Sequence, residues 1–153
     1  MQTEAPRFVA DVMLGKLAKW LRVLGYDTRY GRLEEKLSLE CIREGRTLLS
    51  RRLVILERFP GAFLIRSNHV GEQLREMKAS GLLALAPSSR FTRCLACNAP
   101  LERADPEAAS ASVPEYVFHT YTDDLRHCPS CGRYFWPGTH RQRMLETLRR
   151  WGL

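Results

Sequence analysis

Phe8-Val-Ala-Asp-Val-Met-Leu-Gly-Lys-Leu-Ala-Lys-Trp-Leu-Arg-Val-Leu-Gly25 is the stretch on which the fold turns. Phe8-Val-Ala10 is a short apolar run that ends on Asp11, and it reads as a strand. Beyond it, Leu14, Leu17, Ala18, Leu21 and Leu24 recur at the three-and-four spacing of a single helical face. Lys16, Lys19 and Arg22 fall off that stripe, toward solvent or a ligand. Gly25 stands where the helix must stop, because glycine takes the left-handed conformation without a steric cost.

The alternation continues outward. Tyr26-Asp-Thr-Arg-Tyr30 reads as a second strand, residues 37–44 as a helix closed by Gly45, and Thr47-Leu-Leu49 as a buried strand. Residues 53–59 predict a short helix broken at Pro60-Gly61, residues 62–65 a strand, and residues 70–79 a helix ending at Gly81. Strands alternating with helices argue for an α/β domain whose mostly parallel sheet is covered on its faces. In such sheets ligands bind beyond the carboxyl ends of the strands, where Asp11 and Ser50-Arg51-Arg52 are expected. Around Ala86-Pro-Ser-Ser89 the pattern breaks, dividing the chain into residues 1–89 and 90–153. Residues 90–138 lack helical periodicity, and the small, polar residues 104–112 predict a loop. Residues 139–151 predict a closing helix, with Thr139 and Gln142 as a capping-box pair and Met144, Leu145, Leu148 and Trp151 on one face.

The second region contains Cys94-Leu-Ala-Cys97 and Cys128-Pro-Ser-Cys131. Two such pairs supply the four thiolates that zinc prefers in a closed, tetrahedral structural site. Asn98 and Gly132, which tolerate positive φ, follow the pairs and suit tight knuckles whose amides point at sulfur. A redox site would need only one pair, two disulfides would need an oxidising compartment, and a catalytic zinc would keep an open position. Metal binding would explain how so short a segment folds. His119, His127 and His140 could each substitute for a thiolate or else lie at the surface, and Cys41 reads as a buried core residue on its helix.

Composition bounds the partner. Hydrophobic residues make up 44% and charged residues 27% of 153, an ordinary globular balance. No window approaches the apolar length of a membrane span, and the first residues lack an apolar signal region, so a cytoplasmic protein is expected. The net charge is +7, with 15 Lys and Arg against 10 acids in residues 1–89 and 9 against 7 in residues 90–153. Both regions are basic, which points to a polyanion, RNA or DNA, as partner.

Several of these motifs, taken in order, resemble the Mut-seven C-terminal ribonuclease-like family. They are Phe8-Val-Ala-Asp11, Met13-Leu-Gly-Lys-Leu-Ala-Lys-Trp-Leu-Arg22, Leu24-Gly-Tyr-Asp-Thr28 and Gly45-Arg-Thr-Leu-Leu-Ser-Arg51. Glu72-Gln-Leu-Arg75, Cys94-Leu-Ala-Cys-Asn98 and Cys128-Pro-Ser-Cys-Gly-Arg-Tyr-Phe-Trp-Pro-Gly-Thr-His140 complete the likeness, which runs from about residue 7 to 145. The resemblance implies a PIN-like three-layer α/β domain fused to a small zinc ribbon with a C-terminal helix. It also implies RNA hydrolysis assisted by Mg²⁺ or Mn²⁺ on carboxylates at the sheet's carboxyl edge. Asp11 matches the family's first acid, and its alternative role is to cap the helix that starts at Val12.

The chain departs from that pattern in two places. Arg52 stands where the family has an aspartate after the Leu-Leu strand, and Gly31 and Arg32 displace further acids to Glu34 and Glu35. Replacing a carboxylate with a guanidinium exchanges a metal ligand for a fixed positive charge that attracts phosphate. Two functions follow. A metal-dependent ribonuclease needs Asp11 joined by at least one of Asp27, Glu34, Glu35 or Glu40, with Asp11, Asp27 and Glu35 as the catalytic candidates and Arg52 recruited to hold phosphate. An RNA-binding module without hydrolysis needs Lys16, Lys19, Arg22, Arg51 and Arg52 on phosphates, with Tyr134, Phe135 and Trp136 stacking on bases or else forming the apolar face by which the ribbon packs on the main domain.

Overall fold

In the computed structural model, which describes residues 4–84 and 86–153, the chain folds as two compact units, one extending to Asn98 and one from Ala99 to Leu153. The first unit is built on β1 (Arg7–Ala10), the central strand of a four-stranded parallel sheet of order β2-β1-β3-β4. β2 is Thr28–Tyr30, β3 Arg46–Ser50 and β4 Phe63–Leu64. The register sets Phe8 beside Thr28 and Thr47, and Ala10 beside Tyr30 and Leu49. Helices α1 (Gly15–Val23), α2 (Glu35–Arg43), α3 (Leu53–Arg58) and α4 (Val70–Ala79) cover the two faces. The expected parallel α/β architecture is therefore present, with strand and helix ends moved by one or two residues.

Side-chain alternation along β1 and β3 sorts the core. Val9 and Leu48 are register partners and pack with Leu33, with Cys41 of α2 and with Ile55 of α3. Cys41 is thus a core residue, and burial pushes its thiol pKa up. The alternate residues Phe8, Ala10 and Leu49 serve the other face, where Leu17 and Leu21 of α1 and Leu74 and Met77 of α4 are buried. Each fully buried leucine contributes about 1.5–3 kcal/mol, so the stripe read in α1 is a large part of what holds this helix down. Gly25 ends α1 at φ 101°, and a Cβ there would lie 2.4 Å from the Ser89 carbonyl oxygen, so no other residue fits.

The second unit corrects the reading of residues 104–112 as a loop. Pro106–Ser110 is a helix (α5), which Asp105 caps by accepting from the Ala108 amide at 3.3 Å. A further helix, α6, spans Glu115–Tyr121. Helices of five and seven residues are under two turns or close to it, too short to repeat an apolar stripe. A three-stranded antiparallel sheet, β5 (Glu102–Arg103), β6 (Arg126–His127) and β7 (Tyr134–Phe135), accompanies them. The core here is Ala104, Ala109, Val117 and Leu125, with Tyr134 and Trp136 packed against it. That packing favours the structural role for these two aromatics over base stacking. Helix α7 (Thr139–Arg150) closes the chain and buries Met144 and Leu148. Gly138 occupies its N-cap and no side chain caps it, so the expected Thr139–Gln142 capping box does not form. Among the described residues, no helix is long and apolar enough to cross a membrane.

Candidate metal centre and nucleic-acid interface

The four cysteines of the paired motifs converge. Their Sγ atoms all lie within 4.8 Å of one another. Tetrahedral zinc with bonds of about 2.3 Å needs sulfurs roughly 3.8 Å apart, a separation that lies within this bound. Both knuckles turn in the same way: the Asn98 amide donates to the Cys94 carbonyl and the Gly132 amide to the Cys128 carbonyl, each at 2.9 Å. Asn98 sits at φ 74° and Gly132 at φ 80°, the left-handed positions expected of them. The Cys131 amide points at Cys128 Sγ over 3.4 Å. The donor set is soft and of the right number, and it fits a structural zinc. The histidines His119, His127 and His140 stand outside this cluster.

Asp11 ends β1 at the carboxyl edge of the sheet and is fully buried. Its Oδ1 accepts from the Val12 amide at 2.9 Å and the Leu33 amide at 3.0 Å. Its Oδ2 accepts from Ser50 Oγ at 2.6 Å and from Arg52 Nε at 2.9 Å. Asp11 therefore does cap the 3₁₀ turn Val12–Leu14, while also ion-pairing with Arg52. Arg52 is held in turn, with Nη2 on the Leu33 carbonyl at 3.0 Å and its amide on Ser50 Oγ at 3.1 Å. Ser50, 2% exposed, bridges the pair; its role was missed because a small hydroxyl after an apolar strand has no signature of its own.

The other acids stand elsewhere. Asp27 lies across from Arg7 in the register and Asp11 across from Gly31, a separation of four strand steps, or about 13 Å. At that opposite, amino end Asp27 receives Arg46 Nη1 at 2.7 Å and Asn98 Nδ2 at 2.6 Å. Glu35 is exposed and pairs with Arg58 at 3.7 Å, Glu34 with Arg32 at 3.4 Å, and Glu40 with Arg29 at 3.5 Å. The structure thus does not bring Asp11, Asp27 and Glu35 together, and each has its own arginine. Among the described residues the four cysteines form the only group of three or more His, Cys, Asp or Glu able to share an ion. Mg²⁺ and Mn²⁺ require several oxygen ligands. Asp11 offers two oxygens already engaged by four donors, one of them cationic, so these residues do not fit a hard divalent ion.

Of the cations read from the sequence, Lys16, Lys19 and Arg51 are exposed. Arg51 makes one bond, to the Arg66 carbonyl at 3.3 Å. Arg52 is part-exposed, and its Nη1 has no acceptor among the described residues. Arg22 differs: it is half-buried, and its guanidinium binds the carbonyls of Thr28, Leu95 and Ala96 at 3.0–3.3 Å. Around the same edge of the sheet lie the exposed apolar side chains Val12, Met13, Tyr30, Leu53 and Val54. Nothing in the local sequence marks these as a group, because only the topology gathers them.

Asp11 titrates below its ordinary value of 3.8: burial works to raise the pKa, and the bonds from Ser50, Leu33, Arg52 and Val12 outweigh it. A depressed carboxylate confers stability that is complete above the unfolded-state pKa and is lost as the pH falls through the folded-state value. D11N is therefore expected to be less stable than wild type near neutral pH, and the two urea midpoints to converge as the pH drops under 3.8. A gap that stays constant over this range would show that Asp11 is not ionised in the fold.

No match was found among curated proteins or among solved structures. The family model described as the Mut7-C RNAse domain matches residues 6–148. With nearly the whole chain covered, together with the parallel α/β unit and the four-cysteine cluster, this protein belongs to the Mut7-C RNAse domain family.

Proposed function

We propose that this chain is an RNA-binding module of the nuclease fold that grips single-stranded RNA at the carboxyl edge of its sheet without hydrolysing it. The observation that carries the proposal is the 2.9 Å contact between Arg52 Nε and Asp11 Oδ2, a guanidinium seated on the carboxylate a catalytic ion would need. Lys16, Lys19, Arg51 and the free Nη1 of Arg52 contact phosphates, while Tyr30 and its apolar neighbours meet unpaired bases. Arg22 is left out of that contact set because its Nε and Nη1 hold the carbonyls of Thr28, Leu95 and Ala96, at the first cysteine knuckle. In functional terms residues 1–89 form the PIN-like RNA-gripping domain, and residues 90–153 a zinc ribbon with its terminal helix. A set of four thiolates gathered for zinc supports a reducing compartment such as the cytoplasm.

The test uses labelled single-stranded RNA with Mn²⁺, the wild-type protein and D11N. Binding without cleavage in both is expected. Four phosphate contacts to a single strand predict a slope of log K against log salt of about −3, reduced by about 0.7 in Lys16→Ala or Arg51→Ala. Mn²⁺-dependent cleavage by the wild type that D11N abolishes would overturn the proposal in favour of a ribonuclease. Salt-independent binding would overturn the assigned contacts.

A further inference from the structure

β2 is an edge strand, so the outward N–H and C=O of Thr28 have no strand to meet. Thr28 is nevertheless fully buried. Its amide donates to Asn98 Oδ1 at 2.9 Å, and its carbonyl accepts from Arg22 Nε at 3.0 Å. Both partners belong to the first cysteine knuckle or hold it. Asn98 immediately follows Cys97 and turns back to the Cys94 carbonyl, and its side chain also donates to Asp27 at 2.6 Å. Arg22 Nη1 reaches across to the carbonyls of Leu95 and Ala96, which lie between the two cysteines, at 3.0 and 3.3 Å. Arg93 adds a third clasp, with Nη1 on the Asn98 carbonyl at 3.0 Å and Nε on the Gly25 carbonyl at 3.3 Å.

We infer that Arg22 and Asn98 are positioning residues of the cysteine metal centre, and that through them metal loading is registered at the open edge of the sheet. Two physical effects support this. Zinc with four thiolates carries a net charge of about −2, which a low-dielectric setting makes costly unless cations lie close by. Arg22 supplies such a charge, since its guanidinium is seated on the two carbonyls that lie between Cys94 and Cys97. Orienting groups around a metal's ligands are worth about 10–100-fold in affinity. The second effect is conformational. Asn98 must hold a left-handed backbone to cap Thr28, and the tight turn from Cys94 to Asn98 that sets it is the turn a bound ion fixes. Without the ion, this two-sided cap on Thr28 loses its anchor.

Amide exchange on the full zinc-loaded chain tests both parts. Removing zinc with a chelator is expected to speed exchange at Thr28 at least tenfold, while the Leu48 amide in the sheet interior keeps its protection. Asn98→Ala, still holding zinc, is expected to show the same fast Thr28 exchange. If that variant leaves Thr28 as slow as in wild type, the coupling is refuted, whether or not the metal-free chain stays folded. Arg22→Met, which retains the packing stem, is expected to hand zinc to a competing chelator about tenfold faster, and Arg22→Lys to recover part of the loss through charge alone. Equal transfer rates in wild type and Arg22→Met would remove Arg22 from the metal centre. RNA binding at the opposite, carboxyl edge does not enter any of these readouts.

Discussion

Stripped of metal by a chelator, residues 90–138 are expected to lose their ordered structure, with restoration on adding one equivalent of Zn²⁺. The physical reason is the small size of the second unit's core. Its buried core includes two alanines, Ala104 and Ala109, beside Val117 and Leu125, and its strands are two residues long. Ordering each residue costs about 1–2 kcal/mol of backbone entropy. Burying a few aliphatic side chains at about 1.5–3 kcal/mol apiece does not offset that over such a length. Zinc bound by four cysteines contributes on the order of 10–16 kcal/mol in small domains, enough to reverse the sign. Circular dichroism and elemental analysis on the same sample check the prediction. A metal-free chain with an unchanged spectrum and melting temperature would show that the ribbon stands on its own packing.

The second large effect belongs to the Asp11–Arg52 pair. Arg52→Ala is expected to destabilise the first unit by about 3 kcal/mol, at the low end for breaking a buried pair because Arg52 is 31% exposed to screening water. What remains is an ionised, fully buried carboxylate with only Ser50 and two amides around it. In a double-mutant cycle, Asp11→Asn with Arg52→Ala is expected to cost less than the sum of the two single changes, since removing the charge relieves the loss of its partner. Arg52→Asp sharpens the test. Two carboxylates then share one edge, so Mn²⁺ is expected to raise the melting temperature of R52D and leave that of the wild type unmoved. Additive single costs, or a wild type stabilised by Mn²⁺, would show that the guanidinium does not hold the place of an ion.

Much of the first unit could be read from the chain. The stripe from Leu14 to Leu24 and the glycine at 25 predict α1 and its end, because a helix of several turns repeats its burial pattern often enough to be seen. Helices α5 and α6 escaped the same reading because their few turns never repeat. The zinc ligands were legible for a different reason: cysteine pairs at this spacing carry their chemistry in the residue type and need only be brought together. The acids lack that property. Asp27 follows a helix end much as Asp11 follows a strand end, and only the parallel register puts one at the amino and the other at the carboxyl edge.

The sequence alone establishes an α/β core, two cysteine pairs suited to a metal such as zinc, a net positive charge and an arginine just beyond the third strand. Local periodicity, residue chemistry and charge settle such properties, and they do not depend on which segments meet. Tertiary structure decided that Arg52 lands on Asp11, that Arg22 clasps a knuckle instead of facing solvent, and that Asp27, Glu34 and Glu35 answer to separate arginines. Those pairings join groups as many as 74 residues apart, as in the bond from the Arg22 side chain to the Ala96 carbonyl, and only the folding of the whole chain brings such partners within bonding distance.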